Sequence, residues 1–91
     1  MEKRVVTPDM LEFRLSKVRE WIKFEISAGG QDLYVGYINP IVFKDEKELR
    51  SISRDIAKLL IEGKGLQLNV VVDASLEDLE DIILEKLKEG R

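Results

Sequence analysis

The chain contains no cysteine and no histidine among its 91 residues. The first absence excludes disulfides, thiol nucleophiles and cysteine metal sites. The second removes the usual general base near neutral pH and the commonest metal ligand. No apolar run approaches the roughly 20 residues that cross a bilayer, and no apolar signal-peptide core follows Lys3 and Arg4. We therefore expect a cytoplasmic, non-enzymatic protein that uses no metal or other cofactor and does not bind a membrane.

Amide side chains are also scarce, with Asn and Gln at only four positions, whereas charged residues make up 36% of the chain. This pattern is typical of thermophilic proteins, which avoid labile side chains and use charge networks. The length predicts one domain over residues 1–91 with one modest core. The formal net charge is −3, but residues 73–91 alone carry a balance of −4, so the excess acid is confined to the C-terminal segment.

Hydrophobic periodicity predicts an α+β domain with the element order α-β-β-(β)-α-β-α. Thr7 and Pro8 are typical of a helix start, because threonine can cap free amides and proline is tolerated in the first turn. The spacing of Leu11, Leu15 and the apolar residues after them then predicts a first helix over residues 8–19. The expected fold is a small, mainly antiparallel sheet of three or four strands with three helices.

The second half of the chain is predicted to contain two of these helices and one further strand. Asp45 can cap a helix that runs to residue 62, and residues 66–72 alternate as a strand. A third helix is expected to begin after Ser75. Residues 41–43 are the candidate additional strand, shown in parentheses in the element order.

A β-hairpin is predicted around Gly29 and Gly30, because glycine accepts the positive φ of a tight two-residue turn. Apolar residues alternate on both sides of the turn, and closing it there aligns them without adjustment. On the face expected to pack against the helices, the predicted pairs are Ile26 with Leu33, Phe24 with Val35, and Ile22 with Tyr37. On the opposite, outer face, the predicted pairs are Trp21 with Ile38, Lys23 with Gly36, and Glu25 with Tyr34.

This outer face carries the strongest functional signal in the sequence. Trp21 and Tyr34 flank Lys23 on it, and Gly36 leaves a shallow notch between the two rings. Bases stack on such aromatic platforms, and residues 14–24 carry four basic groups against one acidic group, a balance that attracts phosphates. The candidate nucleic-acid-binding residues are Trp21, Lys23, Tyr34, Arg19, Lys17 and Arg14.

Two other interpretations of the face stay open. Large apolar groups on an open surface usually mark an interface, so the chain could be a protein–protein interaction or regulatory module that binds no nucleic acid. Alternatively, the notch at Gly36 could receive a small ligand in a regulatory domain. Each interpretation uses the same side chains and differs only in what covers them.

Charged stripes on the second and third helices are interpreted as solvated faces. A phosphate contact is the alternative for the basic stripe, and a divalent-cation site is the alternative for the acidic cluster. The residues concerned are Lys47, Arg50, Arg54 and Lys58 in the basic stripe and Glu77, Asp78, Glu80, Asp81 and Glu85 in the acidic cluster.

The apolar arc of the third helix is about 200° wide, roughly twice what one face of a small sheet can cover. The excess predicts a homodimer, with this helix or the open sheet face at the interface. The candidate dimer-interface residues are Leu76, Leu79, Ile82, Ile83, Leu84 and Leu87.

A small antiparallel sheet with an aromatic and basic face, an apolar last helix and a thermophilic composition occur together in this sequence. In kind, this combination resembles the ThermoDBP-type single-stranded DNA-binding proteins of thermophilic archaea. The resemblance implies sequence-tolerant binding of single strands in a cleft near the sheet of a homodimer. It favours a non-enzymatic function in binding single-stranded DNA or RNA. The residues that carry it are Trp21, Lys23 and Tyr34 on the sheet and Leu76, Leu79, Ile83 and Leu87 on the last helix.

Overall fold

The computed structural model describes residues 2–66 and 68–90 and has an α+β fold. The elements are β1 (Arg4–Val6), β2 (Leu11–Val18), β3 (Trp21–Ala28), β4 (Gln31–Ile38), α1 (Glu46–Glu62), β5 (Val70–Val72) and α2 (Leu76–Glu89). The strands β2, β3 and β4 form an antiparallel sheet in that order, and β1 pairs in parallel with β5. Short 3₁₀ turns precede β2, at Pro8–Met10, and α1, at Pro40–Lys44.

The predicted first helix is wrong, because residues 11–18 form β2 and the described residues contain two α-helices, not three. The helix start is limited to one 3₁₀ turn at Pro8–Met10. From Leu11, apolar and charged side chains alternate over five residues, and this period of two places the apolar ones against the core. The helical spacing counts Val18 as a core position, whereas Val18 is exposed and pairs with Trp21.

Two predicted strands also differ from the structure. The candidate strand at residues 41–43 is wrong, because that segment belongs to the 3₁₀ turn Pro40–Lys44. Its leading proline fixes φ and cannot donate to a ladder, which favours a turn. The strand predicted over residues 66–72 is confirmed only at Val70–Val72, and Gln67 lies outside the described residues.

Both helices predicted after residue 44 are confirmed. Asp45 caps α1, where its carboxylate accepts two backbone N–H groups of the first turn, and Gly63 ends the helix in the left-handed conformation with φ 69°. Ser75 caps α2, where its hydroxyl accepts the backbone N–H of Asp78 at 3.1 Å. Capping groups satisfy backbone atoms left free at helix ends, and the residues that can do so mark these boundaries in the sequence.

The core lies between one face of the β2–β4 sheet and the two helices. We call this the inner face of the sheet. The β1–β5 pair contributes valines to the same core, and α1 packs against both α2 and β5. The fully buried side chains include Val6, Phe24, Ile26, Leu49, Leu79, Ile83 and Leu87.

The hairpin turn at Gly29 and Gly30 is confirmed, but the register predicted beyond it is wrong. Both glycines have positive φ, 57° and 80°. A β-bulge next to Ile26 inserts one residue into β4, so that the pairs beyond it shift by one. The observed pairs are Ile26 with Tyr34, Glu25 with Val35, Phe24 with Gly36, Lys23 with Tyr37, and Ile22 with Ile38.

The bulge is held by the segment that follows α1. The carbonyl oxygen of Leu33 accepts the backbone N–H of Leu66 at 3.0 Å. A side chain at Gly65 would collide with the same carbonyl, so glycine permits this close approach. Because side chains alternate between faces, the extra residue exchanges the two faces of β4 from Tyr34 onwards.

Candidate nucleic-acid interface

The outer face is the side of the β2–β4 sheet that points away from the buried core. Trp21 is 47% exposed on it and Tyr37 is 57% exposed, whereas Phe24 and Ile26 are buried on the inner face. The outer face consists of Glu12, Arg14, Ser16, Val18, Trp21, Lys23, Glu25, Ser27, Asp32, Val35 and Tyr37.

Tyr34 does not lie on this outer face. It pairs with Ile26 and packs against the core, with its ring centroid 6.4 Å from that of Phe24. Burial raises the pKa of the Tyr34 phenol. The ring lies across Gly36 and fills the space that a side chain there would occupy. The prediction of a notch between Trp21 and Tyr34 is therefore wrong, and the small-ligand interpretation has no pocket at Gly36.

Tyr37 replaces Tyr34 as the aromatic residue that β4 presents on the outer face. It lies directly opposite Lys23 on the neighbouring strand. Trp21 precedes Lys23 by two residues on the same face, so Trp21 and Tyr37 are diagonal neighbours, a relation that separates Cα atoms by about 7–8 Å. The one sequence signal for this exchange is the apolar run from Leu33 to Val35, which breaks strict alternation.

Acidic and basic side chains occupy different parts of the outer face along the direction of the strands. Lys23 is partly exposed, and its Nζ lies 3.9 Å from the Glu25 carboxylate. Arg14 is opposite Glu25 on β2. Glu12 and Asp32 lie toward the glycine turn and border a depression that Arg14 and Glu25 also line. We call the part of the outer face formed by Arg14, Trp21, Lys23 and Tyr37 the aromatic-basic end.

The structure brings together only part of the predicted binding set. Trp21, Lys23 and Arg14 share the outer face. Arg19 lies in the turn between β2 and β3, exposed and with φ 57°. Lys17 pairs with Ile22 and belongs to the inner side of the sheet, although it is exposed at the strand end.

The candidate dimer residues on α2 lie mostly inside the single chain. Leu79, Ile83, Leu84 and Leu87 are at most 2% exposed, because α1 covers the part of the apolar arc that the sheet leaves open. Leu76 and Ile82 are half-buried. The width of the arc therefore reflects two covering elements within one chain, and these four leucine and isoleucine side chains have no surface to offer a partner.

Two residues of the basic stripe on α1 bind a buried carboxylate of α2. Arg50 and Arg54 each donate to Glu80 at 3.0 Å, and Arg50 also reaches Asp81 at 3.3 Å. The hydrogen bonds from Arg54 and Arg50 hold the pKa of the Glu80 carboxyl below its usual range. The sequence prediction that Glu80 belongs to a solvated face is therefore wrong, because Glu80 lies at the α1–α2 contact and binds both arginines.

Glu80→Gln is expected to reduce the free energy of unfolding at pH 7 by about 1 kcal/mol. The loss is modest because the guanidinium groups stay half-exposed and water screens them. Since the folded-state pKa of Glu80 is depressed, its contribution is full above about pH 4.3 and is lost as pH falls further. Urea unfolding followed by circular dichroism should show the variant approaching the wild type at low pH; a difference that grows on acidification would contradict this.

No match to the chain was found among protein-family models, curated proteins or solved structures. In residues 2–66 and 68–90, no cluster of three or more acidic, cysteine or histidine residues could hold a metal ion. Neither helix in that part of the chain is long and apolar enough to span a membrane.

Proposed function

We propose that the protein binds single-stranded nucleic acid, without catalysis and with little sequence preference, at the aromatic-basic end of the outer face. The observation that carries this proposal is the exposure of Trp21 and Tyr37 next to Lys23, on a sheet face that points away from the core. Exposed apolar groups that lie next to one another, as these two diagonal neighbours do, usually mark an interaction site.

The two rings would stack on bases. Base–aromatic stacking contributes about 1–3 kcal/mol per base and tolerates any base, since every base has a π-face. Trp21 and Tyr37 are on adjacent strands of one sheet, so their spacing is set by the backbone rather than by flexible loops. Duplex DNA hides its base faces in the helical stack, so this surface favours single strands.

The cations around the rings would contact phosphates. Lys23 is opposite Tyr37 and two residues from Trp21 on the same strand. Arg14 lies on the neighbouring strand β2, and Arg19 lies in the turn that joins β2 to β3. Lys23 and Arg14 both neighbour Glu25, which offsets part of their charge. We therefore expect few phosphate contacts and a moderate salt dependence, because the salt slope scales with the number of phosphates neutralised.

The intrinsic fluorescence of the protein tests the proposal directly, since Trp21 is the single tryptophan of the chain. Titration with an oligo-dT strand at low salt is expected to quench the emission, and added salt should weaken the binding. An emission that stays unchanged at low salt, from an indole that iodide cannot reach, would overturn the proposal. That result would favour a face covered by protein.

Lys23→Glu is expected to weaken oligo-dT binding about tenfold and to lower the log–log salt slope by about 0.7, the value per phosphate contact on a single strand. Lys58→Glu is the matched control, because it makes the same charge change on an exposed position of α1. Titrations of both variants at several salt concentrations measure the effect. Equal losses in the two variants would show that net charge, and not the site, governs binding.

A further inference from the structure

The free edge of β4 presents backbone groups that nothing in the described residues pairs. In an antiparallel sheet, successive residues direct their N–H and C=O groups to opposite sides. The pair Ala28–Gln31 flanks the two-residue turn and is therefore hydrogen-bonded. Alternation along β3 then makes Tyr34, Gly36 and Ile38 the β4 residues that bond toward β3, so the backbone groups of Val35 and Tyr37 point away from the sheet. Among residues 2–66 and 68–90, no backbone hydrogen bond reaches those two residues from outside the sheet.

Beyond Asp32 and the bulge near its start, β4 contains none of the usual protection of a sheet edge. Residues 33–38 contain no charged residue and no proline. The opposite edge, β2, carries Glu12, Arg14 and Lys17, which are the kinds of residue that block edge pairing. Short uncharged runs with high β-propensity are typical of strand–strand association. The β4 edge is thus the one suited to pairing.

Apolar surface lies beside this edge. A groove of about 310 Å³ separates β4 from α1, with Tyr37, Val42, Ile52 and Leu59 among its lining residues. Beyond the strand, Ile41 is 67% exposed. A strand added to β4 would cover apolar surface as well as backbone groups, and both effects stabilise an association.

We propose that a second copy of the chain occupies this edge, with β4 pairing antiparallel to β4 about a two-fold axis at Gly36. Val35 and Tyr37 are equidistant from Gly36, so each outward Val35 meets the partner's Tyr37 and four backbone hydrogen bonds close. A two-fold axis at Val35 would instead require a hydrogen bond to the carbonyl oxygen of Leu33. That oxygen already accepts the backbone N–H of Leu66.

The pairing would join two outer faces into one surface across a six-stranded sheet. The two copies of Tyr37 would become diagonal neighbours, about 7–8 Å apart. The aromatic order would then be Trp21, Tyr37, and the same two residues of the partner in reverse. The role of that longer row of rings rests on the proposed nucleic-acid binding, whereas the proposal that the strands pair does not.

The oligomeric state of the full chain, measured by sedimentation equilibrium without nucleic acid, tests the pairing. The wild type is expected to be a dimer at micromolar concentration. Val35→Pro should give a monomer, because it removes an outward N–H without touching the β3–β4 ladder. Lys17→Pro is the matched control, since it removes an outward N–H from the β2 edge, and it should stay dimeric. A wild type that is monomeric into the hundred-micromolar range would overturn the proposal.

The register is tested by two double variants that place charges at the facing positions. Val35→Lys with Tyr37→Lys sets four positive charges around the axis and should raise the dimer Kd at least tenfold relative to Val35→Lys with Tyr37→Glu, in which every lysine faces a glutamate. Circular dichroism confirms that both are folded. Equal dimer Kd values in the two variants would overturn the register at Gly36. Oligo-dT quenching of Trp21 in a monomeric variant would separate a failed dimer from a failed binding site.

Discussion

Trp21→Ala is expected to reduce the affinity of the protein for a single-stranded oligonucleotide about 10- to 100-fold, because one stacked base contributes about 1–3 kcal/mol. The fold should be unaffected, since Trp21 is 47% exposed at the first position of β3 and its side chain points away from the core. The anisotropy of a dye-labelled oligo-dT strand measures the affinity after the indole has been removed.

Three further variants make this result specific to the outer face. Tyr37→Ala should weaken binding in the same way, whereas Tyr34→Phe should not, because Tyr34 packs on the inner face. Met10→Ala removes another exposed apolar side chain outside the sheet and should also be neutral. A loss of affinity in Tyr34→Phe without one in Tyr37→Ala would mean that the binding surface is not the outer face.

Local chemistry explains why the hairpin turn and both helix starts are predictable from the sequence. Gly29 and Gly30 accept positive φ, and Asp45 and Ser75 satisfy backbone amides within the same turn. Each feature depends on residues a few positions apart. Turn and cap chemistry therefore determine these boundaries before any tertiary contact forms.

The side of the sheet on which Tyr37 lies could not be predicted, because it depends on contacts distant in sequence. The bulge that exchanges Tyr34 and Tyr37 is bound to Leu66 through the carbonyl of Leu33. The run from Leu33 to Val35 is compatible with either face inward, and only the tertiary contact selects one. The candidate site consequently keeps Trp21, Lys23 and Arg14 and exchanges one tyrosine for another.

Contacts distant in sequence also decide the structure of β2 and the covering of the apolar arc of α2, so neither could be predicted from local patterns. The segment from Leu11 to Val18 is compatible with both helical and strand spacing, and pairing with β3 selects the strand. The arc of α2 is covered by α1 as well as by the sheet. Which helix faces which cannot be read from one helix alone, so a wide apolar arc does not by itself imply a second subunit.

Phe24→Ala is expected to lower the free energy of unfolding by about 3–5 kcal/mol, the usual cost of removing a large buried ring. Phe24 is fully buried in the middle of β3, where its ring stacks with that of Phe13 at 6.2 Å and lies 6.4 Å from that of Tyr34. Its partner on β4 is Gly36, which has no side chain to fill the cavity. Since small domains are stable by only about 5–15 kcal/mol, urea unfolding should detect a large shift of the midpoint.

Phe13→Ala is the matched control on the same inner face. Phe13 is only half-buried on the edge strand β2, so its removal opens the core to solvent instead of leaving a closed cavity, and we expect less than half the loss. It also gives up the contact of the Lys86 ammonium with the ring, at 5.7 Å. A loss as large as that of Phe24→Ala would show that the core is centred on the β2 edge. The central strand would then not be the element that fixes the outer face and its aromatic residues.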